Sequence, residues 1–382
     1  MLARIKFPIE PVVEQILNSL PDEVWTSTTT KFLDPSIGGG QFVRAIEQRL
    51  KSAGHSEENI ADRVHGFAVY EQEINYAVRT KKLIGKYLPA NFLTELVDTK
   101  YDVVVSNPPF HDNDTNKKGN LWSQYIVKAK AVINPGGYLG FISPPSWMSG
   151  TNEDGNRKKK EIHDFFASND ILYLDLDVGE HFKYVGSHFS AYLVQLTKSN
   201  AKTKVISKGT VSYLDLHNFK ILPKDLNGDT YSIVNKFVNY PDKKPFTAQG
   251  CVGYPKPAGQ EKYCIHNTGT NFGSSKVEPA NAKERKVVVS VPGKLVAVYD
   301  DGVYGCSINS GWMPVKDLKE AETYIIAIDS KLVQFVFNQC KYSGFNNIFL
   351  LKSFPELKSS RDIDMYQQFD LTAQEIKLIE SS

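Results

Sequence analysis

The sequence predicts an α/β fold with a mostly parallel sheet, followed by a mixed α+β region. Three observations carry this. The first 200 residues alternate short apolar runs with segments of helical period. A glycine-rich turn joins an early apolar run to a helical pattern at 34–41. After about residue 200 the alternation gives way to stretches rich in Pro, Gly, Asn and Lys. Strands alternating with helices build a parallel sheet covered on both faces, and such sheets bind ligands at the carboxyl ends of their strands.

In chain order, FLD at 32–34 reads as a strand and 41–50 as a helix. Residues 64–70 read as a strand and 74–88 as a helix. YDVVVS at 101–106 is a strand, 121–133 a helix and 137–143 a strand. Residues 161–169 form a helix, and 171–178 and 190–198 two more strands. Further on, 286–292 and 294–300 are β-like, 324–340 reads as one helix, and 371–381 as a last helix capped by Thr372. The boundary this implies puts one domain at 1–210 and a second at 211–382.

With 382 residues, 41% apolar and 23% charged, the chain is long enough for two cores and too apolar for a disordered protein. Its net charge of +2 argues against a polycationic coat protein. Positive charge is nevertheless concentrated at 201–300, with 15 Lys and Arg against 8 Asp and Glu. Such a stretch is either a solvated surface or a nucleic-acid-facing module. Cys251, Cys264, Cys306 and Cys340 include no CxxC pair, so neither a disulfide framework nor a thiolate metal site is expected. The absence of an 18-residue apolar run predicts no membrane span, and no signal peptide is read, so the expected location is cytoplasmic.

The sharpest chemical signal is Asn107-Pro108-Pro109-Phe110, directly after the strand YDVVVS. Two prolines end a ladder and stiffen the turn. The Asn107 side chain and the Pro108 carbonyl then offer two acceptor oxygens, which suit an NH2 group with two hydrogens. The ring of Phe110 can lie against a planar amine. A second signal is Asp34-Pro35-Ser36-Ile37-Gly38-Gly39-Gly40. Gly38 and Gly40 permit positive φ and close approach of a ligand. No Lys-Ser/Thr follows, which disfavours a phosphate loop, and Asp34 suits a cationic ligand such as an amino-acid ammonium.

Asp-Pro followed by the glycines, and some 70 residues later by Asn-Pro-Pro-Phe, resembles the S-adenosylmethionine-dependent amino-group methyltransferases. The motif order is similar to the γ arrangement of adenine-N6 DNA methyltransferases of restriction-modification type. The likeness runs through about residues 5–215. FPIEPVVEQIL resembles the first cofactor motif, ANFL at 90–93 the adenine-contacting motif, NPGGYLGFISPPSWM the strand motif behind the catalytic turn, and GEHFKYVGSHFSAYLV a late motif carrying a second aromatic. The resemblance implies a Rossmann-like methyltransferase domain and a C-terminal target-recognition domain. It implies S-adenosylmethionine as cofactor, with Pro8, Asp34, Pro35, Ser36, Gly38, Gly40, Tyr70, Glu71, Asn91, Phe92 and Asn107 around it. Within that set Asp34, Gly38 and Gly40 would border the methionine part, and Asn91 and Phe92 would hold the adenine. The chain departs from the pattern at Ala68, where an acid for the ribose is usual and only Glu71 stands nearby. Asn91 replaces the usual Asp, Phe7 stands before Pro8 where Thr is typical, and Phe110 replaces the commoner Tyr.

By the same resemblance Asn107, Pro108, Pro109 and Phe110 form the catalytic corner, and Phe110 and Phe182 stack on a flipped-out adenine. Lys117, Lys118, Arg157, Lys158 and Lys159 are candidate phosphate contacts. His111 and His163 are read as solvent or turn residues, since the amine needs no base before attack. No metal is required. The expected partner is double-stranded DNA, with a separately encoded restriction endonuclease as a further possibility and a monomer as the expected state. Alternatives left open are an RNA guanine-N2 or protein glutamine methyltransferase, and a non-catalytic DNA-binding relative.

Overall fold

The computed structural model describes residues 10–110, 121–151, 156–181, 188–199, 201–248, 256–279 and 281–382. The chain divides into two compact units, one of residues 1–147 and 156–218, the other of 148–155 and 219–382. The expected boundary at 210/211 falls inside a strand of the first unit.

The first unit runs α1 (Glu10–Asn18), α2 (Glu23–Thr26), β1 (Phe32–Asp34), α3 (Gln41–Ser52), α4 (Glu57–Arg63), β2 (Val64–Ala68), α5 (Glu71–Lys81), β3 (Lys86–Pro89) and β4 (Tyr101–Ser106). It continues with α6 (Leu121–Val132), β5 (Ile133–Ser143), α7 (Arg157–Ser168), β6 (Asp170–Asp175), β7 (Ser190–Gln195), β8 (Thr203–Ser207) and β9 (Thr210–Leu214). Its nine-stranded sheet has the order β3-β2-β1-β4-β5-β7-β6-β8-β9. The run from β3 to β5 is wholly parallel. Strand β7 pairs antiparallel with both β5 and β6. The order reverses between β1 and β4, the topological switch point at which open α/β sheets leave a crevice beyond the strand ends. Strands β1 and β4 are buried nearly throughout, as a sheet covered on both faces requires.

Helix α3 turns Phe42, Val43, Ile46 and Leu50 into this core. It also buries Glu47, whose carboxylate accepts the Ile84 and Gly85 amides and the Tyr87 hydroxyl. This changes the expected helix at 74–88. Helix α5 ends at Lys81, Lys82 takes φ +53°, and the chain turns through Gly85 into β3. A Cβ at Gly85 would lie 2.4 Å from the Val64 carbonyl oxygen, so a bare backbone is needed there.

The second unit holds α8 (Gly228–Asn239), β10 (Thr247–Ala248), β11 (Lys256–Pro257), β12 (Tyr263–His266), β13 (Phe272–Ser275), β14 (Arg285–Ser290), β15 (Ala297–Asp301), β16 (Gly305–Cys306) and β17 (Ser310–Pro314). Helices α9 (Leu318–Asp329), α10 (Lys331–Gln339), α11 (Ile348–Lys352), α12 (Asp362–Gln368) and α13 (Ala373–Glu380) follow. Its strands form two four-stranded sheets, β10-β17-β14-β15 and β11-β13-β12-β16. Val287, Val289 and Met313 share one core with Phe237, Val336 and Phe354. The single helix expected at 324–340 is two helices. Ser330 is extended at ψ 154° and caps α10 by accepting the Val333 amide. The last helix carries the reciprocal Thr372–Glu375 capping box. Among the described residues no helix is long and apolar enough to cross a membrane.

Candidate active site

Asp34 ends β1 and Asn107 follows β4, and pairing Leu33 with Val104 sets these two strand ends side by side. The Asp34 carboxylate is 2% exposed. It accepts the Ser106 hydroxyl at 2.7 Å and the Ser36 amide at 3.0 Å. Burial dominates those two bonds and raises its pKa from the ordinary 3.8 to about 7. Among the described residues this buried acid has two neutral donors and no cation, a setting that would favour a positively charged ligand.

The turn beyond Asp34 is fixed by backbone bonds. The Ile37 amide donates to the Phe67 carbonyl at 2.9 Å, and the Gly40 amide to the Ile37 carbonyl at 2.7 Å. Gly38, at φ +47°, is exposed, and a Cβ there would meet only the Ser36 carbonyl oxygen at 3.9 Å. That leaves open backbone for a ligand. Gly40 has a different task. At φ +79° it caps α3, and a Cβ would press on Ala77 and Leu83 at 3.2 Å. Gly66, which lies outside both sequence motifs, pairs with Asp34, and its bare Cα admits Ile37, whose Cγ2 would lie 2.3 Å from a Cβ. A glycine inside an otherwise apolar strand was the available signal.

At the corner itself Pro108 is buried, Pro109 exposed and Asn107 between the two. Asn107 Oδ1 is buried without a hydrogen-bond partner. Such an acceptor costs free energy unless a donor arrives. Phe110 is half-buried, and its ring lies 4.9 Å from that of Phe189, tilted by 34°. Its carbonyl accepts the Leu121 amide at the start of α6. Phe182, Pro8, Lys117, Lys118 and His111 lie outside the described residues.

Other expected residues fall less simply. Phe92 is 1% exposed and packs against Phe67 and Tyr125 at 5.7 and 5.9 Å, with the Lys128 ammonium 5.2 Å above its ring. Asn91 is exposed and its side chain accepts the Leu93 amide. Tyr70 and Glu71 are both exposed at the start of α5. The acid turned towards this region is Glu73, half-buried and raised by that burial. Tyr125 on α6 also went unread. Burial, together with the charges of Asp34 and Glu73, pushes its hydroxyl up to about 12. A core-like aromatic in a helical pattern gives no sign of this in sequence. His163, expected at a solvent or turn position, is instead buried on the inner face of α7, where helical spacing with Ile162 and Phe166 places it. Arg157, Lys158 and Lys159 are exposed at the first turn of α7. Among the described residues none of the three is in an ion pair, whereas Lys160 pairs with Asp164. No cluster of metal-ligating side chains occurs among the described residues.

A parallel switch point with an acid at one strand end, a glycine turn, and an unsatisfied amide oxygen at the neighbouring end sits in a Rossmann-like α/β fold. Residues 16–146 match the family model of the methyltransferase small domain, and S-adenosylmethionine is the cofactor that accompanies it. Two curated relatives are similar over part of the chain. The type II methyltransferase M.PaeR7I of Pseudomonas aeruginosa is 25% identical over 157 residues, 31% of this chain and 27% of that protein. The ribosomal RNA small subunit methyltransferase C of Haemophilus ducreyi is 28% identical over 115 residues, 30% of this chain and 32% of that protein. The matches thus span about a third or less of those relatives. Among solved structures, the M protein of the type I restriction enzyme EcoKI aligns with a TM-score of 0.41 at 14% identity, over 52% of this chain and 47% of that one.

The residues present fit the cofactor. The buried carboxyl of Asp34 would suit an ammonium, and the open backbone at Gly38 permits close approach.

Proposed function

We propose that this chain is a site-specific DNA methyltransferase acting on the exocyclic N6 of adenine. The observation that carries the reading is the buried, unpartnered Asn107 Oδ1 on a proline-stiffened corner beside the Asp34 strand end. Bound S-adenosylmethionine supplies an electrophilic methyl group on a sulfonium. Asp34, Ser36 and Gly38 hold its amino-acid end, and Glu73 and Tyr125 line the same region.

The chain's own residues handle the amine. The N6 lone pair of adenine is delocalised into the ring, which makes it a poor nucleophile. Asn107 Oδ1 accepts one N6 hydrogen and the Pro108 carbonyl the other, so the nitrogen becomes more tetrahedral and its lone pair is released from the ring. Fixed acceptors contribute through positioning and directed electrostatics without moving a proton beforehand. Phe110, backed by Phe189, offers a platform for an extruded base. Each base–aromatic stack contributes ~1–3 kcal/mol, comparable with the few kcal/mol that unstacking costs. Phe182 would supply the opposing ring. Arg157, Lys158 and Lys159 supply phosphate contacts. The second unit, which contains most of the basic stretch at 201–300, would be the target-recognition unit, and a separately encoded restriction endonuclease would be its biological counterpart.

A second reading is an RNA guanine-N2 methyltransferase, favoured by the similarity to the small-subunit ribosomal RNA enzyme. One experiment separates the two. The chain is incubated with S-adenosylmethionine and either unmethylated DNA or ribosomal RNA, and nucleosides are read by mass spectrometry. N6-methyladenine from DNA, lost in Asn107→Ala with cofactor affinity retained, is the expected result. N2-methylguanine from RNA selects the second reading. No modified base with tight DNA binding would mark a non-catalytic relative.

A further inference from the structure

Arg63 ends α4 and immediately precedes β2, whose first residue pairs with Phe32, the first residue of β1. It therefore sits at the amino edge of the sheet, whereas Asp34 and the glycine turn leave from the carboxyl edge. The side chain is 3% exposed. Its Nη1 donates to the carbonyls of Ser27 at 2.8 Å and Thr30 at 3.2 Å. Nε and Nη2 are buried and donate to nothing. Asn59, one turn earlier on the same helix, reaches under the same loop. Its Nδ2 donates to the Thr28 carbonyl at 3.1 Å, while its Oδ1 is also buried and unpartnered. No carboxylate among the described residues acts on the guanidinium, and burial alone lowers its pKa.

A guanidinium stays protonated in a protein, so among the described residues this is a buried cation without a counter-charge. The pattern of what is missing is specific. Nε–H and Nη2–H are parallel donors on one edge of the planar group, the edge that takes two oxygens of a carboxylate or phosphate at once. The two Nη1 contacts hold that edge in place. Asn59 Oδ1, one turn earlier on the same helix, is a further unpartnered acceptor and suits a hydroxyl of a protonated oxyanion. The loop at 27–30 covering the pair has Thr28 and Thr29 exposed, so the cover is a thin one.

We propose that the free edge of Arg63, with Asn59, is a binding site for a small oxyanion beneath the 27–30 loop, at the opposite strand ends from the cofactor region. Phosphate and carboxylate share the required chemistry, so both are used as probes. The full chain, labelled with 15N and with the Arg63 Nε–H signal assigned through bonds, is titrated with inorganic phosphate and separately with acetate, against sodium chloride at matched ionic strength. A saturable movement of that signal with either probe is expected. The stronger probe identifies the source, a phosphorylated ligand or a carboxylate. A signal that drifts equally in all three salts overturns the proposal and leaves water as the occupant. Arg63→Lys keeps the charge but lacks the paired donors, and it should weaken the apparent affinity read from the rise in Tm by about tenfold or more. An unchanged rise in that variant overturns the site. Should Arg63→Lys not fold, Asn59→Leu is expected to weaken the same rise and an unchanged rise overturns the part given to Asn59, while the titration of the unmodified chain needs no variant. None of these readouts depends on methyl transfer, so the site stands or falls separately from the proposed activity.

Discussion

Replacing Asp34 by Asn should stabilise the ligand-free protein above neutral pH while removing its affinity for S-adenosylmethionine. The two Asp34 bonds, from Ser106 Oγ and the Ser36 amide, can both be accepted by an Asn side-chain oxygen at the same place. What changes is the charge. The folded-state carboxyl titrates at about 7, against the ordinary 3.8. A group whose folded pKa is raised contributes stability that is complete below the unfolded value and is lost as pH rises towards the folded one. Between those values the native state holds a proton that the unfolded chain has released, so stability falls with pH and then levels off above about 7. The full difference of roughly 3 units corresponds to ~4 kcal/mol at 1.36 kcal/mol per unit, an upper figure because relaxation and water entry reduce it. Urea denaturation of both forms from about pH 4 to 8.5 should therefore show curves that coincide at the acid end and separate by ~1–4 kcal/mol at neutrality. Calorimetry supplies the second half. In the unmodified chain cofactor affinity should fall towards tenfold per unit as pH drops below about 7, since protonation competes with a bound cation. The Asn variant should bind weakly and without that pH dependence. A variant less stable than the parent at pH 8, or a constant offset across the range, would refute the claim that Asp34 is held as a strained acid awaiting a cation.

Other expectations follow from separate parts of the fold. Exchanging Arg157, Lys158 and Lys159 for Ala should reduce the slope of log affinity against log salt for DNA by up to about 2.7, at ~0.9 per phosphate contact, and an unchanged slope in a filter-binding series would return them to a solvated face. His217 bonds Asp170 through Nε2 at 2.6 Å and Asp215 through Nδ1 at 2.8 Å, and these partners, Asp170 first, raise its pKa. Its contribution is thus complete below about 6.5 and disappears as pH rises through the folded value, so His217→Gln should cost ~1–3 kcal/mol in acid and progressively less in alkali. Equal losses at both ends of a urea series would contradict this. Gly85→Ala forces a Cβ to 2.4 Å from the Val64 carbonyl, and a loss of ~1–3 kcal/mol with faster amide exchange in β3 is expected; wild-type exchange there would mean the turn relaxes freely.

Legible in the sequence is what depends on local chemistry. The β1, β4 and β5 runs are apolar enough to declare a covered parallel sheet, and the corner at 107–110 follows from two prolines and a strand. The errors share one cause. The helix expected to reach 88 stops at Lys81 because Glu47, some 37 residues away, claims the Ile84 and Gly85 amides; no window of the sequence contains both partners. The long helix at 324–340 breaks at Ser330 because a mid-pattern serine caps the next helix, a choice that apolar periodicity alone does not register. The same limit applies at the candidate site. Asp34 and Asn107 are legible because each sits in a motif, whereas Tyr125 becomes visible only once α6 buries it within reach of the charges of Asp34 and Glu73. Sequence therefore reveals the groups whose backbone setting is local, the acid at a glycine turn and the amide on a proline corner. The raised carboxyl of Asp34, by contrast, is created by burial, and its hydroxyl donor, Ser106, comes from another strand. That division has a physical consequence. The charge on Asp34 and the vacancy at Asn107 Oδ1 are both properties of the folded sheet, so a substitution that loosens the β1–β4 pairing should relieve the acid and hydrate the amide together, without touching either motif.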